Sequence, residues 1–284
     1  MILLLGKTSQ IGSILEKLLK ENFKLLLPSS LECNFLKSNV IKKYILKNKP
    51  KLIINCSAYT NVELAEHEKK KCKIINVDAV RSIAEAAKSV GAWVIHYSTD
   101  YVFNGKKRTP YKECDRVFPL NYYGKTKLWS EGQLKSVDCN YSIIRTSWIL
   151  SKKYNSFSSK IISRLSNFKK ISVVVDQFGT PNSAKFIAKK TYQIACKILK
   201  NPKKKYKGLF HLSSTGITNW FNLAIIILKK RGVDISNYKI QKIYTRSLNS
   251  SVKRPLYSKL NSNLIKKTFN IKLVHFKKLI KEFY

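Results

Sequence analysis

Short runs that are apolar at nearly every position recur through the first two-thirds of the chain, at Ile2–Leu5, 25–27, 52–54, 93–97 and 141–144. A strand with one face in water alternates apolar and polar residues, whereas one that is apolar throughout must be covered on both faces. The stretches between these runs carry helical spacing instead. Ile11, Ile14, Leu15, Leu18 and Leu19 form one such set, Ala79, Ile83, Ala84 and Ala87 within 74–90 another, and 121–134 a third. Strands of this kind separated by helices predict an α/β fold, a doubly wound parallel (Rossmann) sheet.

Beyond residue 150 the alternation loosens. Segments 171–175 and 209–212 still read as strands, 184–199 as a helix, and 220–228 and 276–283 as short helices among Lys/Asn/Ser-rich connections. The expected organisation is a dinucleotide-binding domain over 1–150 and a smaller, mostly substrate-binding domain over 151–284, with elements around 184–212 rejoining the first. The 284 residues are enough for both cores.

The charge balance, 55 Lys and Arg against 16 Asp and Glu, would ordinarily suggest a nucleic acid or a membrane surface. Only eight of those cations are Arg, and the lysines are scattered rather than gathered. Compositional drift accounts for that pattern, and no specific nucleic-acid partner is expected. A hydrophobic fraction of 44% excludes a disordered polycation. The six cysteines form no CxxC pair and no Cys/His cluster at zinc spacing, so no metal is expected and a cytoplasmic location fits. No apolar run approaches the roughly 18 residues of a membrane span, and the run before Gly6 is too short for a signal peptide.

Three motifs carry chemistry. Gly6-Lys7-Thr8-Ser9-Gln10-Ile11-Gly12 follows the first strand and opens the first helix, where free N–H groups and the helix dipole suit a pyrophosphate; an ordinary glycine-containing turn is the plain alternative. Tyr123 and Lys127 are four apart and leave one helix face together, so the ammonium is expected to lower the phenol's pKa by about three units, a differential of about 4 kcal/mol. A solvated Tyr-x-x-x-Lys face is the alternative. Ser98, Thr99, Asp100 and Tyr101 end the fourth strand, where open α/β sheets bind ligands, unless they merely cap a turn.

These motifs occur in the order one enzyme class requires. The chain resembles the extended short-chain dehydrogenase/reductases, and among them the dTDP-4-dehydrorhamnose reductases. The resemblance rests on the Gly6 to Gly12 turn, Asn55-Cys56-Ser57-Ala58-Tyr59-Thr60, the string from Gly91 to Phe103, Pro119 to Lys127, Arg145-Thr146-Ser147-Trp148, Asp176 to Pro181 and Arg254-Pro255. It implies that Thr99, Tyr123 and Lys127 are catalytic, Tyr123 as proton donor and Lys127 also as a ligand of the nicotinamide ribose. It implies cofactor contacts from Gly6, Ser9, Gln10, Ile11 and Gly12 at the diphosphate, Asn34 and Phe35 at the adenine, and Ala58, Tyr59 and Thr60 toward the nicotinamide. Thr99, Asp100, Tyr101, Trp148 and Arg254 would hold a nucleotide-sugar substrate.

Departures from the family pattern refine these expectations. Ser9 stands where the usual turn has glycine, which requires a negative φ and a side chain directed away from the phosphate. No acid follows 25–27 in Pro28-Ser29-Ser30, so a 2′-phosphate is not repelled and NADPH is the expected cofactor, with NADH possible. Ile14 stands where a carboxylate could bridge a metal-linked dimer, which leaves a monomer or a plain homodimer. His96 reads as a packed or hydrogen-bonded core residue, Trp220 as core or pocket wall, and the lysine runs at 69–71 and 203–205 as solvated surface. The expected activity is hydride transfer from NAD(P)H to the C4 ketone of dTDP-4-dehydro-6-deoxy-L-mannose, giving dTDP-L-rhamnose. The alternatives are a reductase or epimerase of another nucleotide-linked 4-keto-6-deoxysugar, or a non-catalytic regulatory subunit of the same fold.

Overall fold

The apolar runs become the strands of one parallel sheet. The structure, a computed structural model, describes residues 1–152, 157–167, 170–248 and 250–284. The sheet contains β1 (Ile2–Leu5), β2 (Leu25–Leu26), β3 (Leu52–Asn55), β4 (Trp93–Thr99), β5 (Asn140–Thr146) and β6 (Gly208–His211), in the spatial order β2-β1-β3-β4-β5-β6. Each neighbouring pair is parallel. The order reverses at β1, which places a crevice outside the carboxyl ends of β1 and β3.

Period-two alternation within each strand divides the core into two layers. Ile2, Leu4, Leu52, Ile54 and Ile95 face helices α1 (Gly12–Leu19) and the helix Ala184–Lys200. Leu3, Leu5, Ile53 and Val94 face α2 (Ser38–Asn48) and α3 (Ala79–Ser89). Both layers are buried, which is why these core positions are apolar on both faces of the sheet. A separate small core, built on Ile161, Leu165, Ile171, Val173, Ala224 and Leu228, lies under a two-stranded parallel ladder that pairs Lys170–Val174 with Lys239–Ile243.

Two helical expectations need correction. The helix expected over 74–90 begins earlier, at Lys69–Lys73, and passes through a π-helical turn at Ile74–Asp78 before α3. The wider turn directs Asn76 inward, where it binds both backbone groups of Tyr59 and the Thr126 hydroxyl. Residues 276–283 are not α-helical. They form 3-10 turns over Phe276–Glu282, started by His275 accepting from the Lys277 N–H.

Helix α4 (Tyr122–Val137) carries the Tyr-x-x-x-Lys pair, and its placement is tightly specified. Asn121 caps its start by accepting from the Gly124 N–H at 2.8 Å. Gly124 itself is required for close approach, because a Cβ there would lie 2.4 Å from the Tyr101 carbonyl oxygen. Near its middle, Glu131 meets Arg145 of β5 in a two-pronged ion pair, Nε to Oε1 at 2.7 Å and Nη2 to Oε2 at 2.6 Å. Ser98 of β4 donates to the same carboxylate at 2.6 Å, and the guanidinium lies over the Phe103 ring. Both charges are almost wholly buried, with side-chain exposures of 2% and 1%.

Removing one member of such a pair leaves the other charge buried without a partner. Glu131→Gln is therefore expected to destabilise the protein by about 3–5 kcal/mol, measured as a fall in the urea midpoint. A loss under about 1 kcal/mol would show that the helix is held by other contacts.

Candidate active site

A cavity of about 970 Å³ opens at the crevice outside β1 and β3, lined by residues from the Gly6 turn, the segments after β2, β3 and β4, helix α4 and the end of β5. Its floor is the Gly6 turn. Gly6 has φ +76, and a Cβ there would lie 2.6 Å from the Ser57 hydroxyl oxygen. Gly12 packs so closely that a Cβ would fall 2.1 Å from the Gly6 carbonyl oxygen, so its part is structural and it does not line the cavity. Ser9 meets the condition set by its departure from glycine: its φ is not positive, and its Oγ accepts from the Gly12 N–H at 3.0 Å. The serine thus braces the turn ahead of α1, while among the described residues the Gln10 and Ile11 N–H groups meet no protein acceptor. Gln10 Oε1 is likewise buried without a partner. Open N–H donors, a glycine cradle and an orphaned acceptor at one helix N-terminus fit the diphosphate and hydroxyls of a dinucleotide.

Farther along, Asn34, Phe35, Ala58 and Thr60 line the cavity, together with Pro28, Ser29 and Ser30. Lys7 also lines it, with its ammonium held 2.9 Å from the Leu27 carbonyl. The turn after β2 does contain an acid: Glu32, too far along to count as its terminal residue, folds back to accept from the Ser29 N–H at 2.8 Å. That hydrogen bond, the Ser29 hydroxyl and Lys7 hold its carboxyl below the ordinary value. Tyr59 departs from expectation, since it does not line the cavity. Its hydroxyl donates to Glu68 at 2.7 Å and its backbone is tied to Asn76.

At the other end, Thr99, Asp100, Tyr101, Tyr123, Lys127 and Trp148 share one wall. Thr99 donates to Asp100 Oδ1 at 3.0 Å and accepts from the Tyr101 N–H, while Tyr101 and Tyr123 meet edge to face at 6.0 Å. Trp148, with φ +44, stacks on Trp220 at 3.6 Å, and the pair forms an aromatic flank that the sequence reading had only half anticipated for Trp220. Arg254 is not part of the lining. It stands behind Tyr101, paired with Glu63 at 2.5 Å.

The electrostatics overturn one expectation. Lys127 does not lower the Tyr123 phenol; burial pushes that phenol well up and the charge on Asp100 adds to the effect, with only a Thr99 hydrogen bond opposing. The reason is geometric, since among the described residues the Lys127 ammonium lies 3.3 Å from His96 Nε2 and makes no hydrogen bond to Tyr123. Burial also lowers Lys127 to about 8, against the pull of Glu131 and Cys72. Asp100, whose Oδ2 has no close hydrogen-bond partner among the described residues, is raised by burial to about 7, against the lowering effect of the Ser258 and Thr99 hydroxyls.

A sequence profile of the family described as RmlD substrate binding domain matches residues 1–284. The chain belongs to this family. It is 34% identical over 279 residues to the dTDP-4-dehydrorhamnose reductase of Escherichia coli K12, covering 96% of this chain and 93% of that one. Among solved structures, a dTDP-4-dehydrorhamnose reductase from Bacillus anthracis in complex with NADP superposes with a TM-score of 0.90 at 27% identity, covering 99% and 97% of the two chains. The Clostridium acetobutylicum protein of the same description gives 0.90 at 30% identity, with the same coverage. These relatives are reductases built on the same Rossmann sheet.

Asp100 provides a pH test. Its folded pKa of about 7 lies above the unfolded value near 3.8, so the folded state keeps a proton that the unfolded state releases between those values. The resulting stabilisation is complete below about pH 4 and is lost as pH rises through 7, on the order of a few kcal/mol. Asp100→Asn removes this dependence. Urea unfolding at pH 4.5 and 8 (about these values suffice) should show the variant gaining stability relative to wild type at the higher pH; a constant difference would refute the assignment.

Proposed function

We propose that the chain is an NADPH-dependent reductase of the C4 ketone of dTDP-4-dehydrorhamnose, forming dTDP-L-rhamnose. The observation that supports this most is that Thr99, Tyr123 and Lys127 face the same cavity as the Gly6 turn. In a non-catalytic protein of this fold nothing would require those three side chains together. Residues 1–150 then serve the cofactor and most of 151–284 the sugar nucleotide, with Ala184–Lys200 and β6 supporting the first unit.

A bound reduced nicotinamide supplies the hydride. The chain's own residues supply everything else. Tyr123 holds a proton that its environment keeps in place at neutral pH, so the phenol is ready as a general acid for the oxyanion forming at the sugar's C4 oxygen. Thr99, bonded to Asp100, is placed to orient that oxygen by a further hydrogen bond. Lys127 is the cation available to stabilise the phenolate left behind. Gln10 and Ile11 N–H groups receive the cofactor diphosphate, Ser9 braces the turn that presents them, and Asn34, Phe35, Ala58 and Thr60 guide the rest of the dinucleotide. Asp100, Tyr101 and Trp148 hold the sugar nucleotide. Arg254, singly bonded to Glu63 Oε1, would hold the pyrophosphate by exchanging that carboxylate oxygen for phosphate oxygens, which its planar fork can take two at a time.

The test is NADPH oxidation against a panel of nucleotide-linked 4-keto-6-deoxysugars, with dTDP-4-dehydrorhamnose expected to be the fastest. Tyr123→Phe should lower kcat by about 10²- to 10⁴-fold while leaving NADPH affinity within a few-fold, because only the transferable proton is removed. Turnover above half the wild-type rate would rule out Tyr123 as the acid.

A further inference from the structure

His96 lies in the middle of β4, almost fully buried, and its two ring nitrogens are both engaged. Nδ1 is 3.2 Å from Asn55 Nδ2, and Nε2 is 3.0 Å from Ser130 Oγ and 3.3 Å from Lys127 Nζ. Which nitrogen carries the proton is determined by the neighbours, not by the ring. Asn55 Oδ1 accepts the Ser57 backbone N–H at 3.0 Å, so the amide NH₂ must point at His96 and Nδ1 must be the acceptor. Ser130 spends its hydroxyl proton on the Lys127 carbonyl at 2.6 Å, so its oxygen can only accept from Nε2. Two independent constraints, one on each side of the ring, give the same neutral tautomer with hydrogen on Nε2. Burial and the nearby Lys127 both oppose a cationic ring.

Lys127 therefore faces an N–H, not a lone pair. We propose that the Asn55–His96–Ser130 chain positions Lys127 by denying its ammonium a protein acceptor, so that its donors are kept for the cavity and for the Tyr123 oxygen. The inference rests on the reading of Lys127 as the cationic partner of Tyr123, and makes Asn55, itself part of the cavity lining, and His96 positioning residues that act through Lys127. The other ionisable groups around Lys127 do not provide an alternative resting place: among the described residues Glu131 is committed to Arg145 and Ser98, and Cys72 meets Asn76 and Thr126. Had the ring carried its proton on Nδ1, Nε2 would accept from the ammonium and hold it against β4, away from the reacting centre.

The direct test is a long-range ¹H–¹⁵N correlation spectrum of the wild-type protein, with the His96 signals identified by their loss in His96→Gln. The expected pattern is a protonated Nε2 and a bare Nδ1 that do not titrate between about pH 6 and 9, a range at whose lower end an ordinary imidazole becomes cationic. A protonated Nδ1, or a ring that becomes cationic in this range, overturns the proposal. This readout is independent of turnover, so it separates failure of the positioning chain from failure of the reductase reading. Asn55→Asp supplies the functional arm, because a carboxylate keeps the Ser57 bond but can only accept, which turns the ring to the Nδ1–H form. The variant should show that tautomer and a kcat lowered by roughly ten- to a hundred-fold, as expected when a reacting group is misplaced. An inverted tautomer with unchanged kcat would mean that His96 does not control Lys127.

Discussion

The Glu131–Arg145 pair is the contact on which the geometry of the reacting wall depends. Glu131 lies four residues beyond Lys127 and eight beyond Tyr123, so all three share one face of α4. Pinning the carboxylate to β5 and to Ser98 of β4 fixes both the rotation and the longitudinal position of that face against the sheet. A helix held by apolar packing alone could slide or roll with modest loss of burial, whereas a planar guanidinium bonded at two points tolerates neither. The cost of taking both charges out of water is met by complete pairing, and the return is positional specificity at the far end of the same face.

Around this anchor burial pushes the reacting groups of the cavity toward their uncharged forms, in a protein whose formal charge is +39. Burial raises Asp100 and Tyr123, lowers Lys127 and holds His96 neutral. Each group is displaced toward its uncharged form, which is what a poorly hydrated environment does in the absence of a counter-ion. The lysines that dominate the composition lie elsewhere, as at 69–71, where they are exposed. Charge brought in by ligands would thus be felt strongly, because little inside the cavity screens it.

Much of this was legible in the residues. Strands covered on both faces had to be apolar throughout, and five of the six sheet strands announced themselves that way; even β6 showed as a short run at 209–212. The Gly6 turn was legible because only glycine permits both the positive φ and the close approach to Ser57. What could not be read was set by partners distant in the chain. Tyr123 and Lys127 are neighbours on a helix, but the direction of the ammonium is decided by His96, 31 positions earlier. The pairing of Arg254 with Glu63, 191 positions away, was likewise invisible in the motif that singled Arg254 out. The inward turn of Asn76 needed a π-turn that no periodicity signals. Ser9 was an intermediate case: its departure from glycine and the conditions it imposes were visible, but the hydrogen bond to the Gly12 N–H was not.

The order of the sheet also bears on how the chain is made. β5 ends at residue 146, but the strand that covers its outer edge is β6, which ends at residue 211. About 65 residues separate the two, several seconds of synthesis at roughly 5–20 residues per second. During that interval β5 is a seven-residue strand with one row of backbone donors and acceptors unpaired, of the kind that recruits other chains. The nascent protein therefore passes through a vulnerable stage that the finished fold conceals, and a chain broken between β5 and β6 would retain the Gly6 turn and α4 yet expose a sticky edge beside them.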